Sequence, residues 1–218
     1  MKVTFAATGA PTSAAGPRLI ARIVEQDRLP SGLDAVAGEG ARASRFTGKL
    51  GQVFDYFAGG AGGVRREVLA GIGEPGAAAR AQAFERAGAA VTAKYLCSGE
   101  TALAYDLSGS NATADEVAAL LVGTVLRGWR HDVYRTKLAE EQKPTLAEVV
   151  VIGAPGGAEA AWTNESAVVA GVEFARELVA EPANVIYPES FVERCRRLEA
   201  LGIEITVLDK AAMTALGM

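Results

Sequence analysis

An apolar run at residues 146–152, interrupted only by Glu148, passes through Gly153-Ala154-Pro155-Gly156-Gly157 into a helical stretch over residues 159–179. A strand, a glycine-rich loop and a long helix in direct succession form the repeating unit of an α/β fold. The rest of the chain keeps to that alternation. Residues 2–6 and 19–24 are short apolar runs that read as two strands joined by a turn of Gly, Pro, Ser and Thr. Small residues crowd positions 32–43, which read as a short helix or two. Residues 52–57 and 64–72 read as strands on either side of Gly59-Gly60-Ala61-Gly62-Gly63. Over residues 76–96, Arg80, Phe84, Gly88, Val91 and Tyr95 recur at the helical period. Gly88 costs that helix about 1 kcal/mol relative to alanine. Residues 101–107 predict a strand. Thr113 and Glu116 then have the spacing of a capping box, and Val117, Leu120, Leu121 and Val125 continue the helix to about residue 130.

Pro182 ends the long helix, because a residue before proline is pushed out of the helical region. Pro188 suits the first turn of a new helix over residues 189–201, closed by Gly202. Ile203, Ile205 and Val207 alternate as a strand, and Asp209 caps a last short helix that ends at Gly217. The 218 residues, at ~150 per domain, make one large domain or one and a piece. The boundary falls near residues 165–182, and the part beyond it is too small to fold alone.

Composition excludes several functions. Two cysteines, Cys97 and Cys195, cannot make a disulfide scaffold or a four-cysteine zinc site. A single histidine, His131, rules out a multi-histidine metal centre and an HExxH motif. Lys and Arg number 22 against 26 Asp and Glu, a net charge of -4 without the basic excess of a nucleic-acid binder. Arg194, Arg196 and Arg197 read as a solvated helix face. No apolar stretch reaches the ~18 residues of a membrane span, and the N-terminal run is too short for a signal peptide, so a cytoplasmic protein is expected.

Candidate sites are few. The loop from Gly59 to Gly63 is followed by a strand pattern, which makes it a hairpin rather than a phosphate cradle. Gly153, Gly156 and Gly157 lie between strand and helix, where an open α/β sheet binds anions. They are the candidate ligand-binding residues, although GxGxxG and GK[ST] patterns are absent. His131 and Asp132 are neighbours that would point apart on a helix. Their segment, Trp129-Arg130-His131-Asp132-Val133-Tyr134, has the composition of a contact surface. Cys195 lies beside Arg194 and Arg196 without a partner histidine and reads as an ordinary thiol. The pairs Glu140–Glu141 and Asp115–Glu116 read as a loop run and a capping turn. No catalytic constellation and no metal-ligand set emerges.

Glu173-Phe174-Ala175-Arg176-Glu177-Leu178-Val179-Ala180-Glu181-Pro182-Ala183-Asn184 resembles the leucyl (cytosol) aminopeptidase family. Tyr187-Pro188-Glu189, Gly202-Ile203-Glu204-Ile205-Thr206-Val207-Leu208-Asp209 and Leu216-Gly217-Met218 continue the likeness. So do Tyr134-Arg135-Thr136-Lys137, the Gly59–Gly63 hairpin and Gly71-Ile72-Gly73. The resemblance is loose before Ala112 and tight after Gly128. It implies a macro-domain-like mixed sheet flanked by helices over residues 1–157. A linker helix over 158–181 and the truncated start of a catalytic α/β domain over 182–218 would follow.

That family removes N-terminal residues from peptides with two divalent metals, zinc or manganese, which bind the amino terminus, polarise the carbonyl and activate water. Its ligand motifs, resembling GKGxxFDTGG, DMxGAA and NTDAEGR, do not occur in this sequence. No catalytic or metal residue is therefore carried over, and the metals are expected only in a full-length member. The resemblance implies an inactive N-terminal portion serving assembly or regulation, as a homo-oligomer (a hexamer in the family) or with the missing catalytic half. Peptides would be met only through that half. The alternative is a stand-alone module that binds a small anion or a protein partner. Residues 203–208 would be a strand without sheet neighbours, which predicts that Asn184–Met218 packs poorly or pairs with another chain. Tyr187 stands where the family more often has Thr or Ser, so the start of its helix is expected to be weaker by about 1 kcal/mol.

Overall fold

The computed structural model describes residues 1–6, 16–30, 32–60, 63–76 and 78–218. They form two compact units, Met1–Gly171 and Val172–Met218.

The first unit is built on one mixed sheet. Its strands are β1 (Lys2–Ala6), β2 (Leu19–Val24), β3 (Val53–Gly60), β4 (Gly63–Gly71), β5 (Ala102–Asp106) and β6 (Glu148–Ile152). The spatial order is β1-β6-β5-β2-β4-β3. Every neighbouring pair is parallel except β3 with β4. The β3–β4 hairpin confirms the reading of the glycine-rich loop as a turn, although residues 61 and 62 lie outside the described residues. The two strands expected to be joined by a turn, β1 and β2, are not neighbours in the sheet. β1 pairs in parallel with β6, Lys2 opposite Glu148, and β6 and β5 lie between it and β2. The residues of the expected turn, 7–15, lie outside the described residues. The physical gain is that Val3 and Phe5 pack against the same core as Val149 and Val151.

Strand alternation sends Leu19, Ala21, Val68, Ala70, Leu103, Tyr105, Val149 and Val151 to one face. There they meet α2 (Arg80–Tyr95) and α3 (Ala114–Gly128) through Phe84, Val91, Tyr95, Leu120 and Leu121. Burying a large apolar side chain of this kind contributes roughly 1.5–3 kcal/mol. On the opposite face, α1 (Ala35–Ala43), started by Asp34 accepting from Val36 N–H, sets Ala41 beside Val24, Leu69 and Phe46. The Thr113 capping box is formed as expected: Glu116 N–H donates to Thr113 Oγ1 at 3.3 Å and Thr113 N–H to Glu116 Oε2 at 2.9 Å.

Helix α4 (Ala158–Ala180) begins in the first unit, where Trp162 packs on the core, and its last residues belong to the second. The second unit adds α5 (Pro188–Cys195), a 3-10 turn (Arg196–Leu201) and α6 (Lys210–Ala215). The single helix expected over 189–201 thus tightens in its second half, a common way to end a helix. Gly202 closes it in the left-handed region at φ 83°. Asp209 caps α6 by accepting from Ala212 N–H at 2.8 Å. Tyr187 supplies no side-chain cap to α5, and Ser190 Oγ instead accepts the Tyr187 N–H at 2.9 Å. The strand expected at residues 203–207 does not form. Alternating apolar residues become a strand only when a neighbour takes up their N–H and C=O groups, and no described strand does so.

Candidate functional site

Strands β2 and β5 are adjacent and parallel, with Leu19 opposite Leu103. Their connections leave in opposite directions. After β2 the chain crosses one face through α1 toward β3 and β4. After β5 it crosses the other through α3 to β6. The crevice outside the carboxyl ends of two such strands is where open α/β sheets form binding sites.

The loops that frame this crevice are held firmly. Beyond β2, Arg28 N–H donates to Glu25 O at 3.1 Å, Gln26 N–H to Gly73 O at 2.7 Å and Asp27 N–H to Thr47 O at 2.7 Å. Asp27 sits in the left-handed region at φ 59°, which a short polar side chain tolerates. Gly48 lies so close behind that a Cβ there would stand 2.7 Å from Glu25 O. Beyond β5, Leu107 N–H donates to Ile152 O at 2.9 Å and Ser110 N–H to Leu107 O at 2.9 Å.

Arg80 opens α2, a position where the helix dipole disfavours a cation. Two carboxylates compensate. Arg80 Nε donates to Glu116 Oε1 at 2.7 Å, and Nη1 donates to Glu25 Oε1 at 2.5 Å. Glu25 Oε2 accepts from Arg28 Nη1 at 2.8 Å. Burial alone would push Glu116 up, but the hydrogen bonds from Arg80 and the Thr113 N–H outweigh it and hold the carboxyl below its ordinary range. Beside these groups lies a cavity of about 220 Å³ whose lining includes apolar Ile23, Ile72 and Phe84 and polar Glu25, Arg28, Arg80 and Asn111. None of these residues carries a local motif. The signal available was Arg80 itself, a cation at a helix start with no acidic residue in its own first turn.

Gly153, Gly156 and Gly157 do lie between β6 and α4. Gly153 adopts φ 67°, and a Cβ there would meet Ser108 Oγ at 2.6 Å, so this glycine lets the two loops touch. Gly157, at φ 85°, has Ala114 Cβ at 3.8 Å, beside the start of α3, and Gly156 faces open space. His131 lies in an aromatic cluster. Its ring stacks on Trp129 at 6.1 Å and meets Tyr134 edge-on at 5.7 Å, while Asp132 pairs with Arg130 at 3.1 Å and Arg135 at 3.3 Å. Cys97 Sγ donates to Gln142 O at 3.3 Å, and Cys195 is a half-buried free thiol. The basic run from Arg194 to Arg197, across the end of α5 and the 3-10 turn, is paired locally. Arg194 pairs with Glu177 at 3.0 Å and Glu181 at 2.9 Å, Arg196 with Glu199 at 3.3 Å, and Arg197 lies 4.9 Å over the Phe174 ring.

Among the described residues, no three His, Cys, Asp or Glu side chains come together to hold a metal ion. The side chains present therefore do not fit a two-metal centre, and no metal-dependent step is assigned to them. No helix among them is long and apolar enough to cross a membrane.

The profile of the cytosol aminopeptidase family, N-terminal domain, matches residues 21–138. A probable cytosol aminopeptidase of Caulobacter vibrioides is 36% identical over 189 residues, 85% of this chain but 38% of its own length. The bottromycin maturation enzyme BotP, solved in complex with Mn, superposes with a TM-score of 0.72 at 25% identity, covering 93% of this chain and 40% of that one. A mutant of tomato leucine aminopeptidase gives a TM-score of 0.78 at 21% identity, over 100% of this chain and 46% of that one, a likeness of fold.

Proposed function

The chain belongs to the cytosol aminopeptidase family, through that family's N-terminal domain, and from this premise we propose that it is the non-catalytic N-terminal portion of a metal-dependent aminopeptidase. The observation that carries the reading is the pair of alignment shares: 85% of this chain matches only 38% of a curated relative. Peptide hydrolysis, and the two divalent metals it needs, belong in this reading to the catalytic portion. This chain contributes assembly, with copies of itself or with that portion. The second unit supports an assembly role. It leaves Leu201, Ile203, Val207, Leu216 and Met218 exposed, Leu201 at 76% and Met218 at 79%. Apolar side chains grouped in so short a stretch mark surface that packs against further protein.

An immunoblot of source cells with an antibody to residues 1–128 tests the reading. A band far heavier than 22.5 kDa is expected. A band at that mass overturns it in favour of a stand-alone module. In parallel, the chain supplied with Mn²⁺ or Zn²⁺ is expected to leave leucine para-nitroanilide intact, and saturable hydrolysis would refute the division of labour.

A further inference from the structure

Strand β3 is an outer edge of the sheet, and no strand among the described residues pairs with its free side. Gly71 N–H donates to Gln52 O at 2.8 Å where the β3–β4 ladder begins, and Val53 opposite Ala70 is next in register. Antiparallel pairing alternates from there. The main-chain groups of Phe54, Tyr56 and Ala58 turn to β4, and those of Val53, Asp55 and Phe57 turn outward. Proteins blunt such edges with short strands, proline or lysine. β1, the opposite edge, has five residues and carries exposed Lys2. β3 has eight, with neither lysine nor proline. Its one charge, Asp55, is already held by Arg66 at 2.8 Å and by Lys94.

The two faces beside this edge differ. On the side of α2, Arg66 and Lys94 share the Asp55 carboxylate, and neither makes another ion pair among the described residues. Two cations on one carboxylate leave one positive charge. Arg66 is fixed further by two rings, its guanidinium 5.3 Å over Phe57 and 4.8 Å over Tyr95. Lys94 is half-exposed and Phe57 is 68% exposed. On the side of α1, Phe54 and Tyr56 stack at 6.0 Å.

We propose that β3 receives an extended acidic segment of a partner protein as a seventh strand of the sheet. Its main chain would bond to the outward groups of Val53, Asp55 and Phe57, which supplies affinity without regard to sequence. Strand alternation then sends its side chains to the two faces in turn. Acidic residues fall beside Lys94 and Arg66, their methylene stems against Phe57, and apolar residues fall beside Phe54 and Tyr56. The surplus charge selects an acidic strand over a basic one. The groups it meets are already held in place, so less free energy is lost to ordering. This inference concerns the first unit alone and does not depend on the role proposed for the whole chain.

The test is a titration of the dilute full chain with a capped six-residue peptide alternating valine and glutamate, followed by amide hydrogen exchange. Saturable slowing at Asp55 and Phe57 is expected, with Ala104 in the middle of the sheet unchanged. Lys94→Ala is expected to weaken binding about threefold, the scale of one exposed charge pair. Lys94 lies on the exposed side of α2 and its loss leaves Asp55 paired with Arg66, so the variant folds. A peptide alternating valine and lysine and one with proline in place of valine are the controls. Absence of saturable slowing, or equal affinity in Lys94→Ala, would overturn the proposal. Equal binding of the lysine peptide would refute the charge selection, and equal binding of the proline peptide would refute the added strand. Slowing at Asp55 and Phe57 that grows with protein concentration without any peptide would assign the edge to a second copy instead.

Discussion

Gly88 on α2 and Gly123 on α3 form a reciprocal contact. A Cβ on Gly88 would overlap the carbonyl oxygen of Leu120, and one on Gly123 would overlap that of Glu85. The two helices therefore meet backbone to backbone. By helix propensity alone, Gly88→Ala should stabilise by about 1 kcal/mol. The contact reverses the sign, because main chain cannot give way as a side-chain tip can. Overpacking of this sort costs about 1–3 kcal/mol. Both Gly88→Ala and Gly123→Ala are expected to lower the thermal midpoint by several degrees. A midpoint that rises in either variant would show that the helices separate freely.

The Arg80–Glu116 pair makes stability depend on acid. Glu116 is held below its ordinary value of 4.5 in the folded chain. Below about pH 4.5 the unfolded chain binds the proton first, so the stabilisation is complete above that pH and is lost as pH falls through the folded value. Glu116→Gln is expected to be less stable at neutral pH by about 2 kcal/mol, the scale of a hydrogen bond to a charged group. It should also lose less stability between pH 5 and pH 3. Urea melts of both proteins across that range measure the difference, and parallel curves would remove Glu116 as a source of the acid sensitivity.

Tyr105 and Thr124 make a second internal polar link. Thr124 Oγ1 donates to Leu120 O at 2.8 Å, so Tyr105 Oη, 2.8 Å away, is the donor to Thr124 Oγ1. Both residues are fully buried. Thr124→Val strands the tyrosine hydroxyl and is expected to cost about 1–3 kcal/mol. Tyr105→Phe leaves Thr124 bonded to Leu120 and should cost less. The double variant should be more stable than the sum of the two single losses predicts. Strict additivity in chemical denaturation would mean the hydroxyls do not depend on each other.

How much of this could be read beforehand depended on range along the chain. Thr113 and Glu116 are three residues apart, and their capping box was visible because both partners and the geometry are local. Gly202 and Asp209 were legible for the same reason. The pairing of Lys2 with Glu148 was not, since apolar runs state that a strand exists but not which neighbour it takes. Gly88 was visible only as a cost, because the Leu120 carbonyl that explains it is on another helix. The crevice was hidden in the same way. Glu25, Arg80 and Glu116 lie on three different segments, and each alone looks like an ordinary surface charge. Gly153 was noticed for its loop, where its conformation also answers to the touching Ser108. The family likeness was legible around residues 173–184 because that run is contiguous.

Residues 203–209 offer the last test, because their sequence asks for a strand that the structure does not form. Protection from hydrogen exchange follows hydrogen bonding and burial, so it should divide the chain sharply. Leu103, Ala104 and Tyr105 are fully buried in the middle of the sheet and should exchange only through global opening. The amides of Glu204, Thr206 and Leu208 should exchange within about tenfold of an unstructured peptide, since local openings there cost close to nothing. Exposed Ile203 and Val207 give the same segment a reason to pair with another chain. Exchange measured at two protein concentrations separates the cases. Fast exchange at both supports an unpaired segment. Protection that grows with concentration identifies pairing between copies. Strong protection in a dilute monomer contradicts the absence of a strand. Adding a separately produced catalytic portion of a family relative should slow these amides and leave those of β5 unchanged, if this segment is where the two portions meet.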